Sequence, residues 1–234
     1  MTAPWRWAVY WLPEPLSPLG ELGSAVLGRC VRTGRPVPRP RLPGLTDAAW
    51  ARAGSQAAVY GFHATLVAPF RTERAESDLL ARLDQTAAKL RPFALEDLTV
   101  KRLAGGCAAL TLPKTPPELT ALEKTLVESF SPLRRPPAAT EIRRRGRLTS
   151  RQLAYAEQWG YPYVLEEFMF HLTLSDPPNP ESPPLEAYQT LFEPKIVGRP
   201  MLDAVTLCVQ PRPDAPFEAV AERPLGRPDE RGLA

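Results

Sequence analysis

The chain holds two histidines, and both sit in the same short string. One lies in Tyr60-Gly61-Phe62-His63-Ala64-Thr65-Leu66, the other in Phe168-Met169-Phe170-His171-Leu172-Thr173-Leu174. Each has aromatic residues upstream, threonine at the second position after it and leucine at the third. At ordinary residue usage, both histidines matching both positions by chance is on the order of 10⁻⁵ to 10⁻⁴. A single His-x-Thr carries no signal, and a lone strand histidine is more often structural. A duplicate that uses up the whole histidine content reverses that expectation.

The spacing says what such a pair can do. Side chains at i and i+2 of a strand share a face. His63 and Thr65 then point one way, and Ala64 and Leu66 the other. The same holds for His171 and Thr173 against Leu172 and Leu174. Two strands of this kind bring two imidazoles and two hydroxyls around one volume while their apolar partners anchor them. That set suits a phosphate group: hydroxyls donate to non-bridging oxygens, and imidazoles move protons at the attacking and leaving oxygens. The unperturbed imidazole pKa, close to neutral, fits both proton-transfer roles. Two histidines fall short of the three protein ligands usual at catalytic zinc. Glu166, Glu167 and Asp176 are the carboxylates that would have to complete a metal site.

The duplicated motif resembles that of the 2H phosphoesterase superfamily, which includes RNA 2′,3′-cyclic phosphodiesterases and 2′-5′ RNA ligase-like proteins. The longer strings Tyr60–Leu66 and Trp159-Gly160-Tyr161-Pro162-Tyr163, with the run Arg6-Trp7-Ala8-Val9-Tyr10, look more like the branch found in bacterial phosphonate-utilisation operons. The resemblance spans about Arg6 to Val209. It implies a bilobal fold with both histidines in a central groove, no cofactor and no metal. One histidine would act as general base and the other as general acid, with Thr65 and Thr173 on phosphate oxygens. Where many members of that branch carry a basic residue after the first motif, this chain has Val67. The arginines of the 143–151 cluster are the candidates to replace it.

Other residues can line such a groove. Tyr10 shares a face of the first strand with Ala8 and Arg6. Tyr60, Tyr161 and Tyr163 flank the motifs. Arg151 and Tyr155 share a helix face at i, i+4. Tyr10, Tyr163 and Arg151 are taken with Thr65 and Thr173 as candidate substrate contacts, beside the catalytic candidates His63 and His171.

The elements that must position these residues follow from pattern. Arg6–Leu12, Val59–Val67, Leu95–Leu103, Cys107–Leu112, Phe168–Leu174, Leu202–Val209 and Phe217–Ala221 read as strands. The pair around Gly105-Gly106 is a hairpin. Helices are expected over Leu19–Val31, Glu73–Leu90, Pro117–Phe130, Leu148–Trp159 and Leu185–Phe192, from apolar residues at helical spacing and from Thr149 or Ser150 as a cap. Each histidine is followed by a proline six residues on, Pro69 and Pro177, then by a helix. A strand then covers the position 35 residues past the histidine, Leu98 or Thr206. Each histidine strand is preceded by a strand and a helix. This weak internal repeat predicts an α+β fold. Two pseudo-twofold lobes of antiparallel sheet would carry helices outside and a groove between the histidine strands near 59–67 and 168–174. One such domain is expected over residues 1–224, with a flexible tail at 225–234.

Composition narrows the class. With 234 residues, 44% hydrophobic and 24% charged, the chain is an ordinary globular protein with length enough for a core. No stretch approaches the roughly 20 apolar residues of a membrane span, and the N-terminus lacks a secretory apolar region. A cytoplasmic monomer with no membrane partner is expected. Cys30, Cys107 and Cys208 are scattered, which suits free buried thiols. The net charge is +3, yet the segment Arg134–Arg151 alone carries +6. That patch suits either an anionic ligand or a solvated loop. The 29 prolines mark stiff loops, notably at Pro36–Pro40 and Pro177–Pro180. The expected partner is a small phosphorylated substrate or an RNA end. The chemistry is cyclic phosphodiesterase-type hydrolysis or transesterification on a 2′,3′-cyclic nucleotide, an RNA end or a sugar cyclic phosphate. A non-catalytic nucleotide- or RNA-binding protein on the same scaffold is the other reading, against which the intact motifs argue.

Overall fold

The computed structural model describes residues 5–42, 45–143, 147–179, 182–196 and 198–226. Its strands are β1 (Arg6–Trp11), β2 (Ala64–Phe70), β3 (Phe93–Ala94), β4 (Thr99–Arg102), β5 (Ala108–Thr111), β6 (His171–Thr173), β7 (Met201–Leu202), β8 (Ala204–Gln210) and β9 (Glu218–Pro224). Its helices are α1 (Pro18–Leu27), α2 (Asp47–Ala53), α3 (Ser55–Tyr60), α4 (Glu76–Ala87), α5 (Pro117–Phe130), α6 (Ala139–Arg143), α7 (Ser150–Trp159) and α8 (Leu185–Phe192).

Seven strands form one antiparallel sheet in the order β4-β5-β6-β2-β1-β8-β9. The expected α+β class holds, and the two lobes are the two ends of this continuous sheet. They meet where β2 pairs with β6 at Ala64 and Leu172. The order is symmetric about that seam: β6 answers β2, β5 answers β1, and β4 answers β8, with β9 added at one edge. Each half of the chain also crosses the seam. β4, from the first half, pairs with β5, while β8, from the second, pairs with β1. The strands near 35 residues past each histidine are therefore exchanged between lobes, which ties the halves into one body.

Alternation along β1 explains its place near the centre. Trp7, Val9 and Trp11 enter the main core, whereas Ala8 and Tyr10 join a smaller cluster with Leu12, Val31, Cys208 and Phe217. The main core lies on the helix-covered face, where α4 packs on β8 and β9, α5 on β2, and α8 on β4. Leu66, Leu172 and Leu174 bury there, as do the two residues just before the histidines, Phe62 and Phe170. A buried Phe stabilises by about 1.5–3 kcal/mol relative to exposure, so each motif is pinned from the face opposite its histidine.

Local signals account for most element ends. Gly28, at φ 73, stops α1 four residues before Val31, where helix was expected to end. Thr149 and Gln152 make a capping box at α7. The largest difference lies ahead of the first motif. Val59 and Tyr60, expected as strand, close helix α3, and Gly61 at φ 77 turns the chain into β2. The short helices α2 and α6 and the two-stranded β3–β7 ribbon were not anticipated. Leu225 is buried and donates its N–H to Asp203, so packing runs past residue 224. Residues 227–234 of the expected tail lie outside the described residues, as do Arg144 and Arg145 of the basic segment. Cys208 is buried and Cys30 and Cys107 are half-buried; all three are free thiols. No helix among the described residues is long and apolar enough to cross a membrane.

Candidate active site

The seam between β2 and β6 sets the site. Antiparallel pairing of Ala64 with Leu172 carries Thr65 to the level of His171, and His63 to that of Thr173. Each histidine thus faces the threonine of the other motif. All four side chains line one cavity of about 420 Å³ on the sheet face away from the main core. Tyr10 and Tyr161 join its wall.

Both imidazoles are held in the same way. His63 Nδ1 lies 2.8 Å from the Gly61 carbonyl, and His171 Nδ1 lies 2.8 Å from the Met169 carbonyl. A carbonyl only accepts, so each Nδ1 carries the hydrogen, and each Nε2 is the nitrogen left for proton transfer. In each motif the holding carbonyl sits two residues before its histidine, so the repeat extends to the hydrogen bonding. His63 Nε2 accepts from the Thr65 hydroxyl at 3.0 Å.

The His63 ring, partly open to the cavity, packs tilted at 33° against Tyr10 with centroids 3.8 Å apart. Burial, with a smaller contribution from the nearby His171, lowers its pKa to about 4, against the Gly61 hydrogen bond that favours the charged form. His63 is therefore a neutral acceptor at neutral pH. The buried Tyr10 hydroxyl has no hydrogen-bond partner among the described residues, and burial raises its pKa, so it stays a neutral donor beside the cavity. Tyr60 stacks on Phe217 at 5.3 Å and closes the same end.

The other sequence candidates separate. Tyr163 meets Tyr161 edge-on at 5.6 Å and lines an adjoining apolar cavity of about 360 Å³, with Phe168, Met169 and His171. Arg151 is not among the residues lining either cavity; it is exposed on α7 and lies 3.8 Å from Glu167. Tyr155, on the same helix, donates to Glu166. Val67 is fully buried opposite Val9, so that position points into the core and away from any phosphate. Of the 143–151 arginines, Arg147 and Arg151 do not reach the cavity, and the side chain of Arg143 lies outside the description.

Sequence reading missed one carboxylate, Glu123, and weighed a second, Asp176, only as a metal ligand. Glu123 is buried in the wall of the apolar cavity, where desolvation raises its pKa to about 7 while it accepts from the Leu165 N–H at 3.2 Å. Its signal was its place on the buried face of α5, four residues after Leu119. Asp176 lines the histidine cavity, and its oxygens accept from the Ser55 hydroxyl and from the Gln56 and Ala57 N–H groups at 2.8–3.0 Å. It caps α3, the helix that delivers Gly61 and His63. Asp176→Ala is expected to lose about 1–2 kcal/mol of stability, with Asp176→Asn retaining part of it, in urea unfolding. An unchanged midpoint in Asp176→Ala would show the cap to be energetically idle.

Among known proteins, the family described as "Protein of unknown function (DUF1045)" matches residues 65–218. A ribose 1,5-bisphosphate phosphokinase PhnN of Janthinobacterium sp. (strain Marseille) is 32% identical over 236 residues, covering 97% of this chain and 52% of that protein. A protein of the same name from Laribacter hongkongensis (strain HLHK9) is 37% identical over 172 residues, covering 73% and 40%. The chain thus spans about half the length, or less, of the curated relatives it matches. Among solved structures, E. coli LigT complexed with phosphate aligns over 97% of this chain and all of its own, at 12% identity and a TM-score of 0.47.

Proposed function

The chain belongs to the DUF1045 family, and from its paired motifs we propose that it is a phosphoesterase that opens a cyclic phosphate by two-histidine acid–base catalysis without a metal. The observation that carries this reading is the matched geometry of the two imidazoles. Both Nδ1 atoms are tied to backbone carbonyls, which turns both Nε2 atoms to the substrate, and the threonine of each motif lines the same cavity. His63, neutral at working pH, takes a proton from water as the water oxygen bonds to phosphorus. His171, as the general acid, gives a proton to the ribose oxygen as that P–O bond breaks. Thr65 turns from His63 to a non-bridging oxygen, and Thr173 serves another.

The relatives' name supplies a substrate. Hydrolysis of ribose 5-phosphate 1,2-cyclic phosphate at the bond to O2 yields ribose 1,5-bisphosphate. A domain producing that compound fits beside a kinase that consumes it. The kinase activity itself belongs to proteins about twice as long. No glycine in this chain is followed by lysine, so it contains no Gly-x4-Gly-Lys-Ser/Thr phosphate loop. A second reading, a 2′,3′-cyclic nucleotide or RNA end, is favoured by the apolar cavity beside His171. Its Tyr161, Tyr163 and Phe168 rings offer stacking surface for a base.

The test is turnover of a panel of sugar and nucleoside cyclic phosphates with chelator present. Turnover of the sugar ester above the nucleotides supports the first reading, and the reverse supports the second. Binding without turnover of any ester would leave a non-catalytic binding protein. Loss of turnover to chelator would overturn the metal-free mechanism. The acid limb of kcat/KM is expected near pH 4, because the neutral His63 of the free enzyme is lost only there. The limb of kcat is expected higher, since the bound phosphate's negative charge favours the imidazolium. A kcat/KM limb centred near the ordinary imidazole value of about 6.5 would remove His63 as the base.

A further inference from the structure

We propose that a second cavity, walled by Arg6, Arg71, Arg134 and Arg135, is a phosphate subsite that holds a substrate phosphate other than the one under attack. Its volume is about 230 Å³. The proposal rests on the phosphoesterase reading for what happens next door, and on its own residues for the ligand class.

Three separate chain segments deliver these arginines. Arg6 opens β1, Arg71 directly follows β2, and Arg134 and Arg135 follow α5. One backbone and one side-chain link strap the second and third segments together: the Arg135 N–H donates to the Arg71 carbonyl at 2.7 Å, and the Thr72 hydroxyl donates to the Leu133 carbonyl at 2.6 Å. The guanidiniums are then oriented on aromatic faces. Arg71 lies 3.5 Å from the centre of the Trp5 ring, and Arg134 stands 5.6 Å over Phe70. Stacking holds the Arg71 guanidinium flat and turns its edge, the part that forks onto phosphate, to hydrogen bonding.

The cavity also has room made for it. Gly160, in the Trp159–Tyr163 string, takes φ 70, and a Cβ there would stand 2.6 Å from an Arg134 guanidinium nitrogen. Pro136 and Pro137 stiffen the opposite wall. Against four arginines the lining holds one carboxylate, Glu141, 3.9 Å from Arg71. Convergence of like charges costs energy unless an anion joins them.

Position decides which anion. Arg6 and Pro69 line both this cavity and the histidine cavity, so the two adjoin at that wall. A small substrate with a cyclic phosphate between the histidines can place a second phosphate among the arginines. This makes a phosphorylated sugar cyclic ester, rather than an unphosphorylated one, the better substrate.

Two measurements test this. The first is the ratio of kcat/KM for ribose 5-phosphate 1,2-cyclic phosphate over ribose 1,2-cyclic phosphate. It is expected to exceed about tenfold in the wild type and to fall at least about tenfold in Arg71→Ala/Arg135→Ala, mainly through KM. Arg135→Glu, at an exposed position, is the second variant should the double one fold poorly. It is expected to lower the ratio similarly. The second measurement is calorimetric binding of ribose 5-phosphate, which has no cyclic ester to open. It tests the arginines even if no cyclic ester is turned over. Binding weakened about tenfold or more in the arginine variants supports the subsite. Binding unchanged there, or lost only in Thr65→Ala/Thr173→Ala, overturns it, as does an unaltered ratio.

Discussion

Replacing His63 or His171 with alanine is expected to lower kcat on a cyclic phosphate by about 10³–10⁴-fold, with either change alone nearly as damaging as both together. A positioned general acid or base contributes about 10²–10⁴-fold. In the proposed mechanism the two act on one displacement, so the step that lacks its proton donor cannot use the remaining acceptor. Groups that act as a unit give non-additive losses, and the double variant is the sharper measurement. Folding should survive both changes. The anchors of each motif are Phe62, Leu66, Phe170, Leu172 and Leu174 on the core side, whereas the imidazoles sit on the cavity side. His63→Ala also removes a ring that burial keeps neutral to about pH 4. An ordinary unfolded-state imidazole takes up its proton nearer 6.5, so between those values the unfolded chain binds more protons there than the folded one does. Stability therefore falls as pH drops through that window in the wild type, and should fall less in His63→Ala. Circular dichroism and urea unfolding at pH 7 and pH 5 check the fold, and single-turnover rates check the chemistry. Substantial turnover surviving either single change would end the two-histidine mechanism.

The site was legible where its physics is local. The His-x-Thr spacing forced imidazole and hydroxyl onto one face, and the Leu and Phe neighbours forced the opposite face into the core. Helices α5 and α8 match the expected ranges because both begin at proline-marked starts and carry an unbroken apolar stripe. What failed was decided at a distance. Val59 and Tyr60 have strand-forming side chains, yet Asp176, more than a hundred residues on, caps the turn that makes them helical. Arg151 sits in a basic run, but it lies beside Glu167 and lines neither cavity. Arg71 and Arg135 are far apart in sequence and are brought together by tertiary hydrogen bonds between their segments. The exchange of β4 and β8 between lobes is a pairing decision that side-chain periodicity does not encode. The repeat located the seam, and tertiary contacts decided what gathered around it.

Gly61→Ala is expected to damage both stability and catalysis, although it adds one methyl group and touches no catalytic atom. Gly61 adopts φ 77 and ψ 177, a region open in practice to glycine alone. A Cβ there would lie 2.6 Å from the Val31 Cβ, backbone-anchored and unable to swing aside. Backbone strain and overpacking together cost about 2–4 kcal/mol, which for a chain of this size lowers Tm by roughly 5–12 °C. The same residue's carbonyl fixes the His63 ring through Nδ1, so relief of the clash moves the proposed base. A displacement of about 1 Å can cost on the order of 10²-fold in rate, and a loss of 10–100-fold in kcat is expected at temperatures where the variant is still folded. Gly34→Ala is the control, because Gly34 has φ 69 but nothing within 4 Å of an added Cβ and does not line the histidine cavity. It should lose a smaller amount of stability, from strain alone, and keep its kcat. If Gly61→Ala behaves like Gly34→Ala in both measurements, the Gly61 carbonyl does not position His63, and the symmetry of the two histidine supports has no catalytic meaning.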